Sequence, residues 1–307
     1  MERIKIIAVV GPTASGKTAL SVALAKRFNG EIISCDSMQI YKGMDIGTAK
    51  VTEDEACGIP HHMVDIVLPT ESFSCSDYAK RARALIEDIA SRGKTPIFCG
   101  GTGLYLDSVL KNERLSDAGC DERLREELMR ESADELYERL KAVDPEAALK
   151  THKNNVKRVV RALEIYYTTG RTKTDWDKAS RSEDEPYDAR IIGLMFRDRD
   201  NLYSKIDKRV DVMMEKGLLE EVRILDSKEF RASTASQAIG YKELLQYLDG
   251  GCTLEEAVNK IKQASRNYAK RQITWFKRTD GIKMIYLDEE PNFEFIVNSA
   301  SDIINIK

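Results

Sequence analysis

The chain has 307 residues, of which 42% are hydrophobic and 32% charged, and its formal net charge is −3. This length predicts two domains or one large one, and the composition excludes a disordered polypeptide. The charge balance excludes a uniformly basic protein but not a local basic surface. No apolar run approaches about 18 residues, and the six cysteines form no CxxC pair. We therefore expect a cytoplasmic protein with no signal peptide, membrane span, disulfide framework or cysteine-based zinc site.

Strands alternate with helices in the first third of the chain. Apolar runs predict strands at Ile4–Val10, Glu31–Cys35 and Thr95–Cys99. Apolar residues at helical spacing predict helices at Thr18–Phe28 and Tyr78–Arg92. This alternation predicts an α/β fold with a parallel sheet flanked by helices.

The middle of the chain is predicted to be helical and to interrupt the sheet. Helices are predicted at Asp121–Leu140 and Val156–Tyr167, and the sheet resumes with a strand at Ala189–Phe196. The last third is predicted to be helical, with helices at Leu202–Lys216, Leu219–Asp226 and Leu254–Lys277. We therefore predict a core of residues 1–115 and 185–307, and an inserted helical domain of residues 116–184.

Charge is unevenly distributed along the chain. Glu113–Glu138 contains ten acidic and four basic residues, whereas Lys150–Arg181 contains nine basic and three acidic ones. Val258–Lys283 contains eight basic residues and one acidic residue. Two basic stretches in an acidic protein favour a face that binds a polyanion, and the alternative is a set of solvated helix surfaces.

A glycine-rich motif follows the first predicted strand and opens the first predicted helix. It fits the pattern G-x-x-x-x-G-K-[ST] and consists of Gly11, Pro12, Thr13, Ala14, Ser15, Gly16, Lys17 and Thr18. In this context the loop amides and the helix amino terminus bind phosphate, Lys17 neutralises it, and Thr18 can ligate Mg²⁺. The motif predicts a bound diphosphate or triphosphate, and leaves open whether phosphate is transferred or departs.

Polar residues also end the next two strands. Asp36 follows the second strand, and Thr102 follows the third. Because the carboxyl ends of parallel strands border one crevice, both residues should face the phosphate loop. Asp36 can serve as a general base, hold Mg²⁺ or cap a helix, and Thr102 can cap a helix or contact a substrate. The segment Ile40–Lys50 lacks apolar periodicity and is predicted to be a substrate-contacting loop.

Seven sequence blocks resemble the tRNA dimethylallyltransferase family, also called tRNA isopentenyltransferases. The blocks are GPTASGKT (11–18), ISCDSMQIYKGMDIGTAK (33–50), PHHMVDI (60–66), GGTGLYL (100–106), RVVRALE (158–164), QAIGYKE (237–243) and AKRQITWFKR (269–278). They cover nearly the whole chain in order. The zinc finger of eukaryotic members is absent from the sequence, so the chain is most similar to the bacterial type.

The resemblance implies a P-loop NTPase-like fold and a prenyl transfer reaction. A dimethylallyl group would pass from dimethylallyl diphosphate to N6 of the adenosine 3′ of the anticodon (position 37) in tRNA, releasing pyrophosphate. Asp36 would be the general base, Lys17 and Thr102 would also be catalytic, and Mg²⁺ would be the cofactor. Arg209 resembles a family arginine that grips the diphosphate, and the alternative is a surface charge. A P-loop also predicts nucleotide (ATP) binding in general, but the prenyl donor is the expected occupant.

The resemblance further implies binding of the tRNA anticodon stem-loop, with no membrane and no obligate protein partner. The tRNA contacts that it implies are Asp36, Ser37, Met38, Gln39, Thr102, Arg125, Lys157, Arg158, Val159, Val160, Arg161, Gln237, Gly240 and Lys242. Solvated helix charges are the alternative for the basic residues between 157 and 161. Since the target adenine is stacked in its loop, it must be extruded to reach Asp36.

The last long helix carries a basic stripe. Lys262, Arg266 and Lys270 recur at four-residue spacing, which suits contacts with RNA phosphates. Trp275 and Phe276 either pack in the core or stack on bases, and core packing is favoured.

Three other functions compete with prenyl transfer to tRNA. A P-loop kinase would require ATP and transfer its γ-phosphoryl group, but the whole-chain resemblance disfavours it. A non-catalytic RNA-binding protein is disfavoured by the intact Lys17, Thr18 and Asp36. A related enzyme that prenylates free AMP is disfavoured by the basic helix.

Overall fold

A computed structural model describes residues 3–111, 121–179, 186–289 and 292–306. The chain divides into two compact units. The first, here called the core unit, comprises Met1–Leu106 and Tyr187–Lys307, and the second, the helical unit, comprises Asp107–Pro186.

The core unit is built on a six-stranded sheet. Its strands are β1 (Ile4–Val10), β2 (Gly30–Ser34), β3 (His61–His62), β4 (Thr95–Gly100), β5 (Tyr187–Met195) and β6 (Lys283–Tyr286). All neighbouring pairs are parallel, in the order β3-β2-β4-β1-β5-β6. The predicted α/β fold with a parallel sheet is confirmed. The predicted helical character of the last third is wrong at β6, which is only four residues long and carries no clear apolar run.

The α-helices of the described residues follow in chain order. They are α1 (Lys17–Arg27), α2 (Glu53–Ala56), α3 (Cys75–Ser91), α4 (Gly103–Leu110), α5 (Glu122–Leu128), α6 (Ala133–Val143), α7 (Pro145–Lys150), α8 (Val156–Thr169), α9 (Lys173–Ala179), α10 (Arg199–Glu215), α11 (Leu218–Leu225), α12 (Lys228–Ala232), α13 (Tyr241–Leu248), α14 (Leu254–Phe276) and α15 (Phe293–Asn305). None of these helices has the length and apolarity needed to cross a bilayer.

Two large apolar clusters lie in the core unit, beside a smaller one around Leu202, Ile206 and Ala269. In one, strand residues such as Ile7, Val9 and Ile97 pack with α1 and α15. In the other, α10, α11, α13 and α14 pack around Tyr241 and around Tyr41 of the segment after β2. Both tyrosine side chains are fully buried. The second cluster therefore fixes the chain that follows Asp36 against the carboxy-terminal helices.

The helical unit contains two helices where the sequence predicted one at Asp121–Leu140. α5 ends at Leu128, and α6 starts anew at Ala133. Ser132 accepts a hydrogen bond from the Glu135 amide, and the Ser132 amide donates to the Glu135 carboxylate at 3.0 Å. This capping box satisfies amide groups that an interrupted helix exposes, so a new helix begins there. The S-x-x-E pattern was readable in the sequence.

A buried carboxylate on β2 forms the most connected ion cluster of the sheet. Glu31 accepts two hydrogen bonds from Arg92, at 2.5 and 2.8 Å, one from Lys94 at 2.7 Å, and pairs with His62 at 2.8 Å. These partners, with the Arg92 bonds contributing most, hold the pKa of Glu31 well below its usual range. The cluster therefore joins β2 to β3 and to the chain leading into β4.

We expect Glu31→Gln to lower the free energy of unfolding at pH 7 by about 2 kcal/mol, because the variant loses the charge that pairs with Arg92 and Lys94. The loss stays moderate because these two cations are partly exposed and can rehydrate. A depressed carboxyl pKa contributes stability that is present at neutral pH and lost as the pH falls below about 4.5. The variant should therefore lose less stability than the wild type between pH 5 and pH 3. Urea unfolding at several pH values measures this.

Asp88→Asn is the matched control for this experiment. Asp88 also pairs with Arg92, at 2.8 Å, but its side chain is 59% exposed. Removing its charge should cost well under 1 kcal/mol, as for surface ion pairs in general. Equal losses of unfolding free energy in Glu31→Gln and Asp88→Asn would contradict a larger contribution of the buried Glu31 carboxylate to stability.

Candidate active site

The glycine-rich motif forms a curled loop between β1 and α1. Gly11 has a φ of 148°, and a Cβ at this position would collide with the Leu194 carbonyl of the neighbouring strand. Gly16 has a φ of 78° and is the residue from which α1 starts. Both positions therefore require glycine, and they bring the loop amides to the amino terminus of a helix.

Two side chains of this loop, Lys17 and Ser15, carry hydrogen-bond donors suited to an anion. The Lys17 ammonium donates to the Pro12 carbonyl at 2.6 Å, and burial lowers the pKa of Lys17 to about 8. The buried hydroxyl of Ser15 has no hydrogen-bond partner among the described residues. A buried donor without an acceptor is costly, and a bound phosphate oxygen would satisfy it.

Arg209 on α10 adds a second cation to the site. Burial lowers the pKa of its guanidinium, while Asp36 and Glu55 act in the opposite direction through their charges. Its Nε atom is buried and lacks a hydrogen-bond partner among the described residues. The charges of Arg209 and Lys17 also interact with each other. The surface-charge alternative therefore does not describe Arg209, which is directed into the interior of the core unit.

Asp36 lies at the end of β2 in a turn. Its carboxylate accepts a hydrogen bond from the Met38 amide at 2.8 Å, and its charge interacts with Lys17 and Arg209. The residues that follow it form a turn rather than a helix, so Asp36 does not cap an α-helix. The carboxylate thus lies within electrostatic range of the Lys17 ammonium and the Arg209 guanidinium.

The turn after β4 is bonded to the turn that carries Asp36. The Thr102 hydroxyl accepts a hydrogen bond from the Ser37 amide at 3.1 Å, and the Thr102 amide donates to the Cys35 carbonyl at 3.0 Å. The Thr102 carbonyl accepts a hydrogen bond from the Tyr105 amide, and α4 begins at the next residue, Gly103. Thr102 thus precedes α4, its hydroxyl bonds to the turn that carries Asp36, and contact with a substrate stays a prediction.

Two residues of α14 complete the site and were missed by the sequence analysis. Gln272 is buried; its side chain accepts from the Thr13 amide at 2.8 Å and donates to the Gly101 carbonyl at 3.1 Å. The Tyr268 hydroxyl contacts the side chains of Thr102 and Gln272, and burial, followed by the charge of Asp36, raises the pKa of Tyr268 to about 12. Their i, i+4 spacing was a signal that one polar face of this helix points inward.

Polar side chains in and beside the predicted substrate-contacting loop, Ile40–Lys50, form hydrogen bonds to the loop itself. The Lys50 ammonium is buried and donates to the Tyr41 carbonyl, to Asp45 and to Asp65. The side-chain Nε2 of Gln39 donates to the carbonyls of Thr48 and Ala49, at 3.2 and 3.3 Å. These groups therefore shape the loop from within.

The other predicted tRNA contacts of the core unit differ in exposure. Met38 packs partly against the second apolar cluster. Gln237 and Lys242 are exposed at the start of the α13 region, whereas Gly240 is buried with a φ of 100°. Lys242 pairs with Glu243 at 3.6 Å, and the Gln237 side chain donates to the Ser236 hydroxyl at 3.3 Å. Gly240 provides the turn between them.

The basic stripe of α14 is mostly neutralised by α10. Lys262 pairs with Asp211 at 2.6 Å, and Arg266 makes two bonds to Asp207, at 2.5 and 2.6 Å. The prediction that these two side chains contact RNA phosphates overlooked two acids at matching four-residue spacing. Lys270 is exposed, with its ammonium 5.7 Å from the centre of the Tyr203 ring.

We expect Lys270→Ala to weaken tRNA binding and to lower the slope of log K against log salt concentration by about 0.7 to 0.9, which corresponds to one phosphate contact. Lys262→Ala is the matched control, and its slope should change less because its ammonium is already paired. Filter binding between low and moderate salt measures both slopes. An unchanged slope for Lys270→Ala would remove this residue from the RNA-binding face.

Trp275 and Phe276 end α14 in different environments. Phe276 is buried, as favoured by the sequence analysis, whereas the side chain of Trp275 is 38% exposed. The Trp275 ring lies against Gly103, where a Cβ would come within 2.8 Å of ring atoms. The core interpretation is therefore correct for Phe276 only.

The helical unit carries the remaining predicted tRNA contacts, on α5 and α8. Lys157 and Arg158 are exposed, whereas Val159 and Val160 are buried in the apolar core of this unit. Arg125 and Arg161 both bond the fully buried carboxylate of Glu164, at 3.0 and 2.7 Å. Side-chain contact with RNA is therefore open to Lys157 and Arg158, while the valines hold the helix in place.

The curled loop between β1 and α1, set in a parallel sheet, defines a P-loop α/β protein. A family model described as IPP transferase matches residues 39–279. A tRNA dimethylallyltransferase of Anoxybacillus flavithermus is 51% identical over 303 residues, covering 99% of this chain and 97% of that protein. The chain belongs to the IPP transferase family.

Solved structures support this assignment. A tRNA Δ2-isopentenylpyrophosphate transferase from Staphylococcus epidermidis has a TM-score of 0.74 and 45% identity, with 99% of both chains covered. A eukaryotic dimethylallyltransferase acting on tRNA has a TM-score of 0.80 and 34% identity, covering 92% of this chain and 74% of that one. The fold and the family thus agree over nearly the whole chain.

Proposed function

We propose that this protein transfers a dimethylallyl group from dimethylallyl diphosphate to N6 of the adenosine 3′ of the anticodon in tRNA, with pyrophosphate as the second product. Relatives at about 50% identity are named tRNA dimethylallyltransferase. The observation that carries the proposal is the position of Asp36, a carboxylate in the turn after β2 whose charge interacts with both Lys17 and Arg209.

The diphosphate of the donor occupies the P-loop. Amides of the loop and the amino terminus of α1 attract it, and Lys17 and Arg209 neutralise its charge. The buried Ser15 hydroxyl and the Arg209 Nε supply donors that have no partner among the described residues. Because negative charge accumulates on the diphosphate as the allylic C1–O bond breaks, these donors stabilise the departing pyrophosphate more than the bound substrate.

The residues present fit a bound Mg²⁺. Thr18 at the start of α1 offers a hydroxyl oxygen as a ligand. In the described part of the chain, no group of three or more His, Cys, Asp or Glu side chains could hold a metal by itself. Such a sparse set suits Mg²⁺, which keeps several waters and binds through one or two protein oxygens and substrate phosphates. When bound, the ion supplies further positive charge to the diphosphate.

Asp36 prepares the acceptor. The exocyclic amine of adenine is a poor nucleophile because its lone pair is delocalised into the ring, so its proton must leave as the bond to carbon forms. The Asp36 carboxylate accepts this proton, the N6–C1 bond forms, and pyrophosphate carries away the electrons of the C1–O bond. Thr102 and Tyr268 orient the turn around Asp36 through the hydrogen bonds described above.

Transfer of label tests the proposed function. Purified protein, Mg²⁺, labelled dimethylallyl diphosphate and unmodified tRNA should give labelled RNA in the absence of ATP. A tRNA with guanosine at position 37 is the matched control and should stay unlabelled. A requirement for ATP, or transfer to free AMP instead of tRNA, would overturn the proposal.

The lowered pKa of Lys17 predicts how pyrophosphate binding depends on pH. A bound anion favours the charged ammonium, so affinity should be constant below pH 8 and should fall above it, by up to about tenfold per pH unit. Titration calorimetry with Mg²⁺ and pyrophosphate from pH 7 to 10 measures this fall.

Lys17→Arg is the reference for this measurement, because arginine stays charged throughout the range and pyrophosphate itself also titrates. The affinity of the wild type should decline relative to this variant above pH 8. Parallel curves for the two proteins would show that Lys17 does not titrate near pH 8.

A further inference from the structure

Glu221 on α11 makes an unusual set of hydrogen bonds for a glutamate. Its carboxylate accepts from three consecutive backbone amides, those of Asp45 at 2.8 Å, Ile46 at 2.7 Å and Gly47 at 3.0 Å. A fourth bond, at 2.6 Å, comes from the hydroxyl of Tyr241 on α13. A carboxylate accepts about four hydrogen bonds, so the capacity of Glu221 is used completely.

Packing makes this contact specific. Tyr241 is fully buried, and burial together with the adjacent Glu221 charge raises its pKa well above the usual range, so the hydroxyl stays a donor. A Cβ at Gly47 would lie 2.5 to 2.7 Å from atoms of the Tyr241 ring. The backbone at residue 47 therefore lies flat against this ring, and the loop can dock in only one way.

The clamped turn is connected to the turn that bears Asp36. The carbonyls of Thr48 and Ala49 accept hydrogen bonds from the side-chain Nε2 of Gln39, and Oε1 of the same side chain accepts from the Ser34 hydroxyl at 2.9 Å. Ser34 and Gln39 flank Asp36 on either side in the chain. A continuous series of hydrogen bonds thus runs from Glu221 to the segment that holds the proposed base.

We propose that Glu221 and Tyr241 are positioning residues that fix the loop of residues 45–50 and, through Gln39, the orientation of Asp36 toward the acceptor. The same Tyr241 begins α13, beside Lys242, so the clamp also ties a proposed RNA-contacting segment to the loop of the base. This inference rests on the proposed function. It assigns to Glu221 no contact with either substrate.

Glu221→Gln tests the inference with little change in shape. One side-chain oxygen becomes an NH₂ group, which faces backbone donors or the Tyr241 hydroxyl and cannot accept from them. We expect kcat/KM for tRNA to fall about 10- to 100-fold, as for other losses of residues that orient a functional group. The dissociation constant of pyrophosphate should change less than twofold, because the P-loop is untouched.

Glu220→Gln is the matched control. Glu220 is the preceding residue of the same helix, its side chain is 64% exposed, and it pairs with Arg223 at 3.3 Å. Its removal should leave kcat/KM within twofold of the wild type. Tyr241→Phe removes one bond of the clamp, and its effect on kcat/KM should be less than additive with Glu221→Gln, since both act through the same carboxylate.

Amide hydrogen exchange separates failure of this inference from failure of the proposed function. Exchange at residues 45–47 should rise at least about tenfold in Glu221→Gln relative to Glu220→Gln, whatever reaction the enzyme catalyses. Unchanged exchange, or a kcat/KM equal to that of the control, would overturn the inference. A proportional loss of pyrophosphate affinity and of thermal stability would also overturn it, because that result marks general unfolding.

Discussion

Replacing Asp36 by asparagine is expected to lower the rate of dimethylallyl transfer by about 10² to 10⁴, the usual contribution of a general base. The change is isosteric, and the amide oxygen can still accept from the Met38 amide. Pyrophosphate affinity should be unchanged or slightly stronger, because a negative charge beside Lys17 and Arg209 is lost. Single-turnover transfer to tRNA and calorimetry with Mg²⁺ and pyrophosphate measure the two effects separately.

Glu55→Gln is the control for the loss of charge alone. The charge of Glu55 acts on Arg209, and its side chain accepts from the Thr52 amide at 3.0 Å in a capping box, a role that glutamine also fills. Transfer should stay within about threefold of the wild type. If Asp36→Asn lost pyrophosphate binding together with transfer, Asp36 would be a metal ligand or a structural residue rather than the base.

Arg209→Gln should produce the second large effect. The Nε atom of its guanidinium is buried, and a charged hydrogen bond to a diphosphate oxygen contributes about 1.5 to 3 kcal/mol. We therefore expect the dissociation constant of pyrophosphate to rise about 10- to 100-fold. The transfer rate should fall by about 10² to 10³, since the leaving group gains charge in the transition state.

Lys208→Gln, at the exposed neighbouring position on α10, provides the comparison for a charge change on this helix. It should leave pyrophosphate affinity within twofold. A wild-type affinity in Arg209→Gln would place the arginine outside the anion site.

The sequence predicted the parts of this protein that depend on local patterns. Apolar runs located β1, β2, β4 and β5, and the glycine-rich motif located the curled loop between β1 and α1. The sequence did not predict β3 and β6, because strands of two and four residues are too short to show a pattern of apolar residues.

Residues that act across long sequence separations were not predictable in the same way. The bond between Thr13 and Gln272 spans 259 positions, and that between Gly47 and Glu221 spans 174. No spacing rule connects such residues before the fold is known. Tyr268 gave no distinct signal, because a tyrosine at the helical spacing of apolar residues fits a core as well as a site.

The paired side chains of α14 show a different kind of error. Arg266 has the spacing expected of an RNA contact, but its guanidinium is paired with Asp207 on α10. The charge of one helix therefore does not predict RNA binding unless the charges of the facing helix are also considered. The acidic residues of α10 could have been recognised in the sequence from their own four-residue spacing.

The position of Gln272 has a consequence for how substrates are accepted. A single amide group ties the phosphate loop at Thr13 to the turn at Gly101, and it does so from a helix held on α10 by ion pairs. A side chain at position 101 would occupy the place of this amide. The phosphate loop and the turn after β4 are consequently held together before any ligand binds, so under the proposed function little binding energy would go into ordering them.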